Sequence, residues 1–287
     1  MDQLYVIKIG GNIIDDEAKL SSFVQSFAAI KGNKILIHGG GKLATKLAAQ
    51  LGVEQQMVDG RRITDAETLK IVTMVYAGYI NKNIVAQLQA NNCNAIGLCG
   101  ADGNLIQSHK RKPIVKTSKL ALENNATIIN TPLGEGVLDY GFVGDVDAVN
   151  TTLLNGLLLQ GVNIVLAPIT HNKEGQLLNT NADTIAQEIA QAMSSLYNVH
   201  LIYSFEKAGV LLDANDDATV INSIVPLSYE QLKEKQVIFA GMIPKLDNAF
   251  AAINKGVTRV IIGKAEELAQ LIEGTKGTSI KAGTNPA

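Results

Sequence analysis

The chain has 287 residues, of which 46% are hydrophobic and 18% charged, with a formal net charge of −2 and two cysteines. That is a globular composition, long enough for one large domain or two lobes, and it excludes a disordered chain, a nucleic-acid surface, a disulfide framework and a zinc site. No apolar run approaches the roughly 20 residues of a membrane span, and an opening strand without a signal-peptide pattern leads to the expectation of a soluble, cytoplasmic protein.

A first strand is expected over Leu4–Ile9, then a helix around Glu17–Ile30 that stops at Lys31-Gly32-Asn33. A second buried run, Ile35-Leu36-Ile37, leads through His38-Gly39-Gly40-Gly41-Lys42 into a helix reaching Leu51-Gly52. Three glycines at a helix start leave N–H groups open to an approaching group, which is a natural anion seat. Thr64-Asp65-Ala66-Glu67 reads as a capping box, with Thr64 as the cap of a helix running to about Gln89. Its apolar stripe, which includes Leu69, Val72, Tyr76, Tyr79, Ile80 and Ile84, is wider than one sheet face covers, so part of it is expected to pair with a second subunit. Further strands are expected at Ala95–Cys99, Ala126–Ile129, Asn163–Ala167, Val199–Tyr203 and Arg259–Ile262, with helical patterns between most of them. The alternation predicts an α/β fold, a central, mainly parallel sheet with helices on both faces.

Four places carry candidate chemistry. Lys8 lies inside an apolar strand, where an ammonium needs an anionic partner, and Gly10-Gly11 follow at the carboxyl end of that strand, where open α/β sheets bind ligands. Arg61 and Arg62 precede the long helix; one would suit a bidentate carboxylate contact, and a solvated turn accounts for them equally well. Asn179-Thr180-Asn181-Ala182-Asp183 fails as a calcium loop, because Thr184 stands where glycine is needed and Ala190 where the final glutamate is needed. A helix cap explains one of its short polar residues and leaves the others open. Pro244 suits a first helical turn, placing Lys245 at the positive end of a helix, where an exposed cation is disfavoured by roughly 0.3–1 kcal/mol unless an anion is bound.

Other readings compete. Gly39-Gly40-Gly41-Lys42-Leu43-Ala44 fits a dinucleotide fingerprint with Asp59 about 20 residues on, which would give an NADP-binding oxidoreductase with Arg61 or Arg62 at the 2′-phosphate. It makes a poor strand of Met57-Val58-Asp59 and leaves Lys8, Asp183 and Lys245 without a role. An esterase oxyanion loop at His38-Gly39-Gly40-Gly41 lacks its G-x-S-x-G serine. No Walker P-loop occurs.

Taken in order, Lys8-Ile9-Gly10-Gly11, His38-Gly39-Gly40-Gly41, Gly60-Arg61-Arg62-Ile63-Thr64, Gly103-Asn104-Leu105-Ile106, Asn179-Thr180-Asn181-Ala182-Asp183 and Gly241-Met242-Ile243-Pro244-Lys245 resemble the motifs of the amino-acid kinase family over essentially the whole chain. The resemblance implies an open three-layer αβα sandwich: a single domain, 1–287, with an N-lobe over 1–175 for the acyl-amino acid and dimerisation, and a C-lobe over 176–287 for the nucleotide. It implies ATP-dependent phosphorylation of the γ-carboxylate of an N-acylated glutamate, N-acetyl-L-glutamate above all, in arginine biosynthesis, with Mg²⁺ held mainly by the ATP phosphates. By the same resemblance Lys8 and Lys245 act on the transferring phosphoryl group and Asp183 holds their ammonium groups. Gly10, Gly11, Gly40 and Gly41 would supply backbone donors, with Gly40, Gly41, Arg62 and Asn179 at the substrate and Lys8, Ser204, Glu206, Gly209 and Lys245 at the nucleotide. A glutamate side chain has an unperturbed pKa of about 4.3 and is already ionised at neutral pH, so such a reaction needs no general base.

Three departures from the family pattern bear on these expectations. Ser204-Phe205-Glu206-Lys207-Ala208-Gly209-Val210 stands where the family has Thr/Ser-Asp-Val before Gly-Val, which leaves the adenine and ribose contacts open. The chain opens at its first strand, without the extra helix of arginine-inhibited hexameric members, which leads to the expectation of an arginine-insensitive homodimer formed through the helix from Thr64. Lys42 stands where many members have proline. It is either a solvated helix-start residue or a cation for an additional carboxylate, which would make N-succinylglutamate the substrate. Glutamate, aspartate, carbamate and UMP kinases share the implied fold, though some carry added domains for which the chain after Leu268–Ile272 leaves no room, and a catalytically silent sensor would not need both Lys8 and Lys245.

Overall fold

The first two strands sort their side chains by alternation. Leu4, Val6, Ile35 and Ile37 enter one apolar core, whereas Tyr5, Ile7, Ile9 and Leu36 enter another. A period of two places alternate residues on opposite faces, so two cores mean a sheet buried on both sides, as parallel sheets are. The computed structural model describes residues 1–58, 61–115, 137–213, 215–235, 237–238 and 242–283. Its main sheet has eight strands, in the order Ser223–Ile224, Thr278–Ile280, Arg259–Lys264, Asn198–Phe205, Gln3–Ile9, Asn33–Ile37, Asn163–Leu166 and Ala95–Leu98. All neighbours run parallel except Arg259–Lys264 with Thr278–Ile280. The α/β architecture and the mainly parallel sheet are as expected. The strand expected at Ala126–Ile129, and the motif positions Asp59, Gly60 and Gly241, lie outside the described residues.

Register brings the motifs together. Lys8 stands opposite Tyr203 on one side and Ile37 on the other, and Ile9 stands opposite Ser204. The segments after Lys8 and Ile37 therefore leave the sheet side by side with Ser204, at the carboxyl ends of three adjacent strands.

Several parts of the fold had no sequence signal, among them the main-sheet strands Ser223–Ile224 and Thr278–Ile280. A four-stranded sheet, in the order Leu177–Asn179, Ile169–His171, Ile106–Lys110, Gly144–Val149, stands apart from the main one. Met57–Val58 pairs antiparallel with Arg61–Arg62 as a two-stranded ribbon, which removes it from the parallel sheet that a dinucleotide fold would require.

The long helix is continuous but not uniform: Ala66–Thr73 is α-helical, Met74–Ile80 forms a π-helix, and Asn81–Ala90 returns to α. Its cap is corrected by one residue. Asp65, not Thr64, accepts from Thr68 N–H at 2.7 Å. Thr64 is tied instead into a bridge with Gly141, and its N–H donates to the Tyr140 carbonyl at 2.9 Å. Among the described residues no helix is long and apolar enough to cross a membrane.

Candidate active site

Asp183 is the second residue of the helix Ala182–Met193, whose cap is Asn181: its side chain accepts from the N–H of Asp183 at 2.8 Å and of Thr184 at 3.2 Å. Ile185, Ala186, Ile189, Ala190 and Met193 seat that helix in the core that also takes Leu4 and Val6. Lys8 shares their side of the strand, so its ammonium meets the helix N-terminus. Lys8 Nζ lies 2.7 Å from Asp183 Oδ1. Lys245, in the first turn of the helix Ile243–Asn254, places its Nζ 2.6 Å from Asp183 Oδ2. Burial alone would raise the Asp183 carboxyl, but the charges of Lys8 and Lys245 outweigh it and hold the group far below the usual carboxylate range. Three residues far apart in sequence thus form a cation–anion–cation bracket.

The glycine segment follows Ile37, the register partner of Lys8 on the neighbouring strand. Gly40 has φ +140°, and a Cβ there would overlap Ile80 Cδ1, so glycine is required both by conformation and by space. Among the described residues no protein acceptor takes the N–H of Gly11, Gly39, Gly40 or Gly41. Gly10 differs from expectation: its N–H donates to Ser204 O at 2.9 Å, because the strand pairing continues one step past Ile9. Gly10 therefore offers close approach and no free donor.

Arg62 is buried and braced. Its Nη2 donates to Gly41 O at 2.9 Å and to Thr45 Oγ1 at 3.0 Å, and its Nη1 donates to Gln55 Oε1. Asn179 donates from Nδ2 to Thr64 Oγ1 at 3.0 Å. Arg62 and Asn179 line a cleft of about 220 Å³ together with Gly40 and Gly41. Lys42 does not line it: its Nζ donates to Asn12 Oδ1, and it borders a separate groove with Asp15, Glu17 and Tyr79.

Sequence reasoning misses three residues of the cleft's surroundings. Tyr76 belongs by periodicity to the apolar stripe, yet it lines the cleft, carried there by the π-helix. Arg111 belongs to no motif. It lines the cleft, holds Asp145 through Nε at 3.1 Å and through Nη2, and leaves Nη1 buried without a protein partner among the described residues. Hydrogen bonds from Arg111 lower the Asp145 carboxyl. The third, His38, stands within a motif that gives it no role.

Of the residues expected at the nucleotide, Ser204 is 1% exposed and its Oγ has no protein partner among the described residues. Gly209 lies against Thr278, whose Oγ1 would be 2.6 Å from a Cβ at that position, and the Val210 N–H donates to the same oxygen at 2.8 Å. Glu206 is exposed on the loop between them.

A parallel sheet that gathers glycine N–H groups and two clamped lysines at its carboxyl edge has the form of a phosphotransferase. Residues 3–264 match the amino acid kinase family. The chain is 54% identical over 285 residues to acetylglutamate kinase of Cytophaga hutchinsonii, covering 99% of this chain and 100% of that one. In structure it is similar to N-acetylglutamate synthase from Neisseria gonorrhoeae complexed with coenzyme A and N-acetyl-glutamate, with a TM-score of 0.77 and 20% identity over 99% of this chain and 60% of that one. It is also similar to carbamate kinase from Giardia lamblia bound to AMP-PNP, with a TM-score of 0.63 and 14% identity over 98% and 99% of the two chains. The chain belongs to the amino acid kinase family and is a kinase. The oxidoreductase alternative is left without support.

Proposed function

We propose that the protein transfers the γ-phosphoryl group of ATP to the γ-carboxylate of N-acetyl-L-glutamate, as a cytoplasmic step of arginine biosynthesis. The observation that carries this reading is the Lys8–Asp183–Lys245 bracket, with Lys8 paired to Ile37 just ahead of the glycines whose N–H groups take no protein acceptor among the described residues. Arg62 from the N-lobe, 1–175, and Asn179, just inside the C-lobe, 176–287, hold the acyl-amino acid, and Ser204, Glu206 and Gly209 border the nucleotide in the C-lobe. A carboxylate oxygen attacks the γ-phosphorus as the bond to the ADP oxygen breaks. Both reactants are anions, so the work is positioning and charge neutralisation. Lys8 and Lys245 neutralise the transferring group, and the N–H groups of Gly11, Gly40 and Gly41 stabilise its oxygens. Asp183 and Asp145 are committed to cations, so Mg²⁺ would be held mainly by the nucleotide phosphates, where it would supply charge neutralisation.

A second reading, an N-succinylated substrate, draws no support from Lys42, which turns toward Asn12. Arg61 and Arg111 at the cleft supply the cations it would need, Arg111 with its unpartnered Nη1. ADP release measured with N-acetylglutamate, N-succinylglutamate, glutamate and UMP separates these readings. Turnover is expected with an acylated glutamate and not with the other two. No turnover with any of them, together with NADPH binding, overturns the proposal. The homodimer is proposed to form through the long helix, where Met74 is 54% and Tyr79 64% exposed, and to be insensitive to arginine.

A further inference from the structure

His38 is fully buried and takes no part in the chemistry described above. Its Nδ1 lies 2.9 Å from the Gly39 carbonyl oxygen, and its Nε2 lies 3.2 Å from Asn81 Nδ2. The Asn81 amide is oriented by its own partners: Nδ2 donates to Val165 O at 3.1 Å, and Oδ1 accepts from Lys82 Nζ at 3.1 Å. A carbonyl only accepts and an amide nitrogen only donates, so the imidazole carries its proton on Nδ1 and its lone pair on Nε2. Burial lowers its pKa to about 4, which keeps it in that neutral form.

The bond to Gly39 has a consequence one atom further along the chain. In a planar trans peptide the C=O and the N–H point in opposite directions. Holding the Gly39 carbonyl against His38 turns the N–H of Gly40 away from the imidazole, on the segment that lines the cleft, where no protein acceptor takes it. With glycine on both sides, this peptide plane has little of its own to stop it rotating. Asn81 is the first residue after the π-helix, and its Oδ1 occupies space that a Cβ at Gly97 would fill. The π-helix thus sets two consecutive residues against the site: Ile80 under Gly40, and Asn81 against His38.

We propose that His38, braced by Asn81, is a positioning residue for phosphoryl transfer, locking the Gly39–Gly40 peptide so that the Gly40 N–H is presented to the reacting oxygens. This rests on the acylglutamate kinase reading. The amide nitrogen of asparagine falls near the place of the imidazole Nδ1, and that of glutamine near Nε2. His38→Asn therefore keeps the contact to the loop, whereas His38→Gln keeps only the contact to the helix. His38→Gln and His38→Ala are expected to lose about 100-fold in kcat, the low end of the range for loss of one oxyanion donor, with both KM values changed less than about threefold. His38→Asn should recover most of that loss. Asn81→Ala, which leaves the loop contact in place but unbraced, should lose about tenfold in kcat on the same pattern. Thermal unfolding is measured for each variant. Equal losses for Asn and Gln, a loss confined to KM, or a kcat that follows Tm rather than the loop contact overturns the proposal. If the His38 variants do not fold, an Asn81→Ala kcat equal to wild type overturns it. Absence of turnover in the wild-type enzyme instead overturns the functional reading, and this inference with it.

Discussion

Asp183→Asn preserves side-chain shape and removes the one anion between two ammonium groups. The contacts are 2.7 and 2.6 Å, and the Asp183 side chain is 15% exposed. At an effective dielectric of about 20, each contact has a gross attraction of about 6 kcal/mol. Desolvation of all three groups offsets most of that, and removing one partner of a buried pair costs about 3–5 kcal/mol. Urea unfolding at low ionic strength should therefore show a loss of about 3–5 kcal/mol, and ADP release a fall in kcat of about 100-fold or more. Mg·ATP restores negative charge between the lysines, so it should stabilise the variant more than the wild type. The wild-type carboxyl lies below its unfolded value, so its contribution is complete above about pH 4 and disappears as pH falls through the lower folded value. The variant should lack that acid-side loss. A change below about 1 kcal/mol, or equal stabilisation of both proteins by Mg·ATP, would refute the bracket as the organising feature of the site.

Lowering of His38 from 6.5 to about 4 means that the unfolded chain binds the extra proton between those values. Stability should fall by about 3 kcal/mol as pH drops from about 6.5 to 4, and chemical denaturation across that range should show a flatter curve for His38→Asn. Arg62→Lys cannot span Gly41 O, Thr45 Oγ1 and Gln55 Oε1 at once. It should raise KM for the acylated glutamate about 10- to 100-fold with KM for ATP unchanged, as initial-rate kinetics would reveal. Gly40→Ala faces both φ +140° and the Ile80 side chain. Its backbone strain alone costs about 1–3 kcal/mol, so the destabilisation by Gly40→Ala should be smaller in an Ile80→Ala background than in wild type without vanishing, as thermal unfolding of the four proteins would show.

Much of this protein is legible in local chemistry. Alternating strand and helix patterns, the glycines after the first two strands, and a lysine that needs a partner at Lys8 all depend on interactions within a few residues. The strands expected within the described residues are found, and the Gly39–Gly41, Arg61–Arg62 and Asn179–Ala182 stretches of the family motifs line one cleft. One near miss has a tertiary cause: Thr64 and Asp65 are both good caps, and the contacts of Thr64 with Tyr140, Gly141 and Asn179 leave the cap to Asp65.

What lies beyond the sequence is whatever depends on register and on contacts between distant segments. A π-helix inserts one residue into a turn while leaving the apolar stripe nearly intact, so nothing in the periodicity could reveal that Tyr76 faces the cleft or that Asn81 reaches His38. Arg111 sits beside a sheet whose short strands gave no pattern, and its approach to the site follows from pairing between Ile106–Lys110 and Gly144–Val149. Lys42, adjacent to the glycines in sequence, turns to Asn12 because the helix from Gly41 carries it to a different face. The amino-acid order by itself determined which groups could serve as phosphate ligands, since that is a property of residue type and immediate neighbours. Tertiary structure decided which of them meet, because a hydrogen bond or ion pair forms only over about 3 Å, and such distances between residues as far apart as Lys8, Asp183 and Lys245 are set by the packing of the whole sheet.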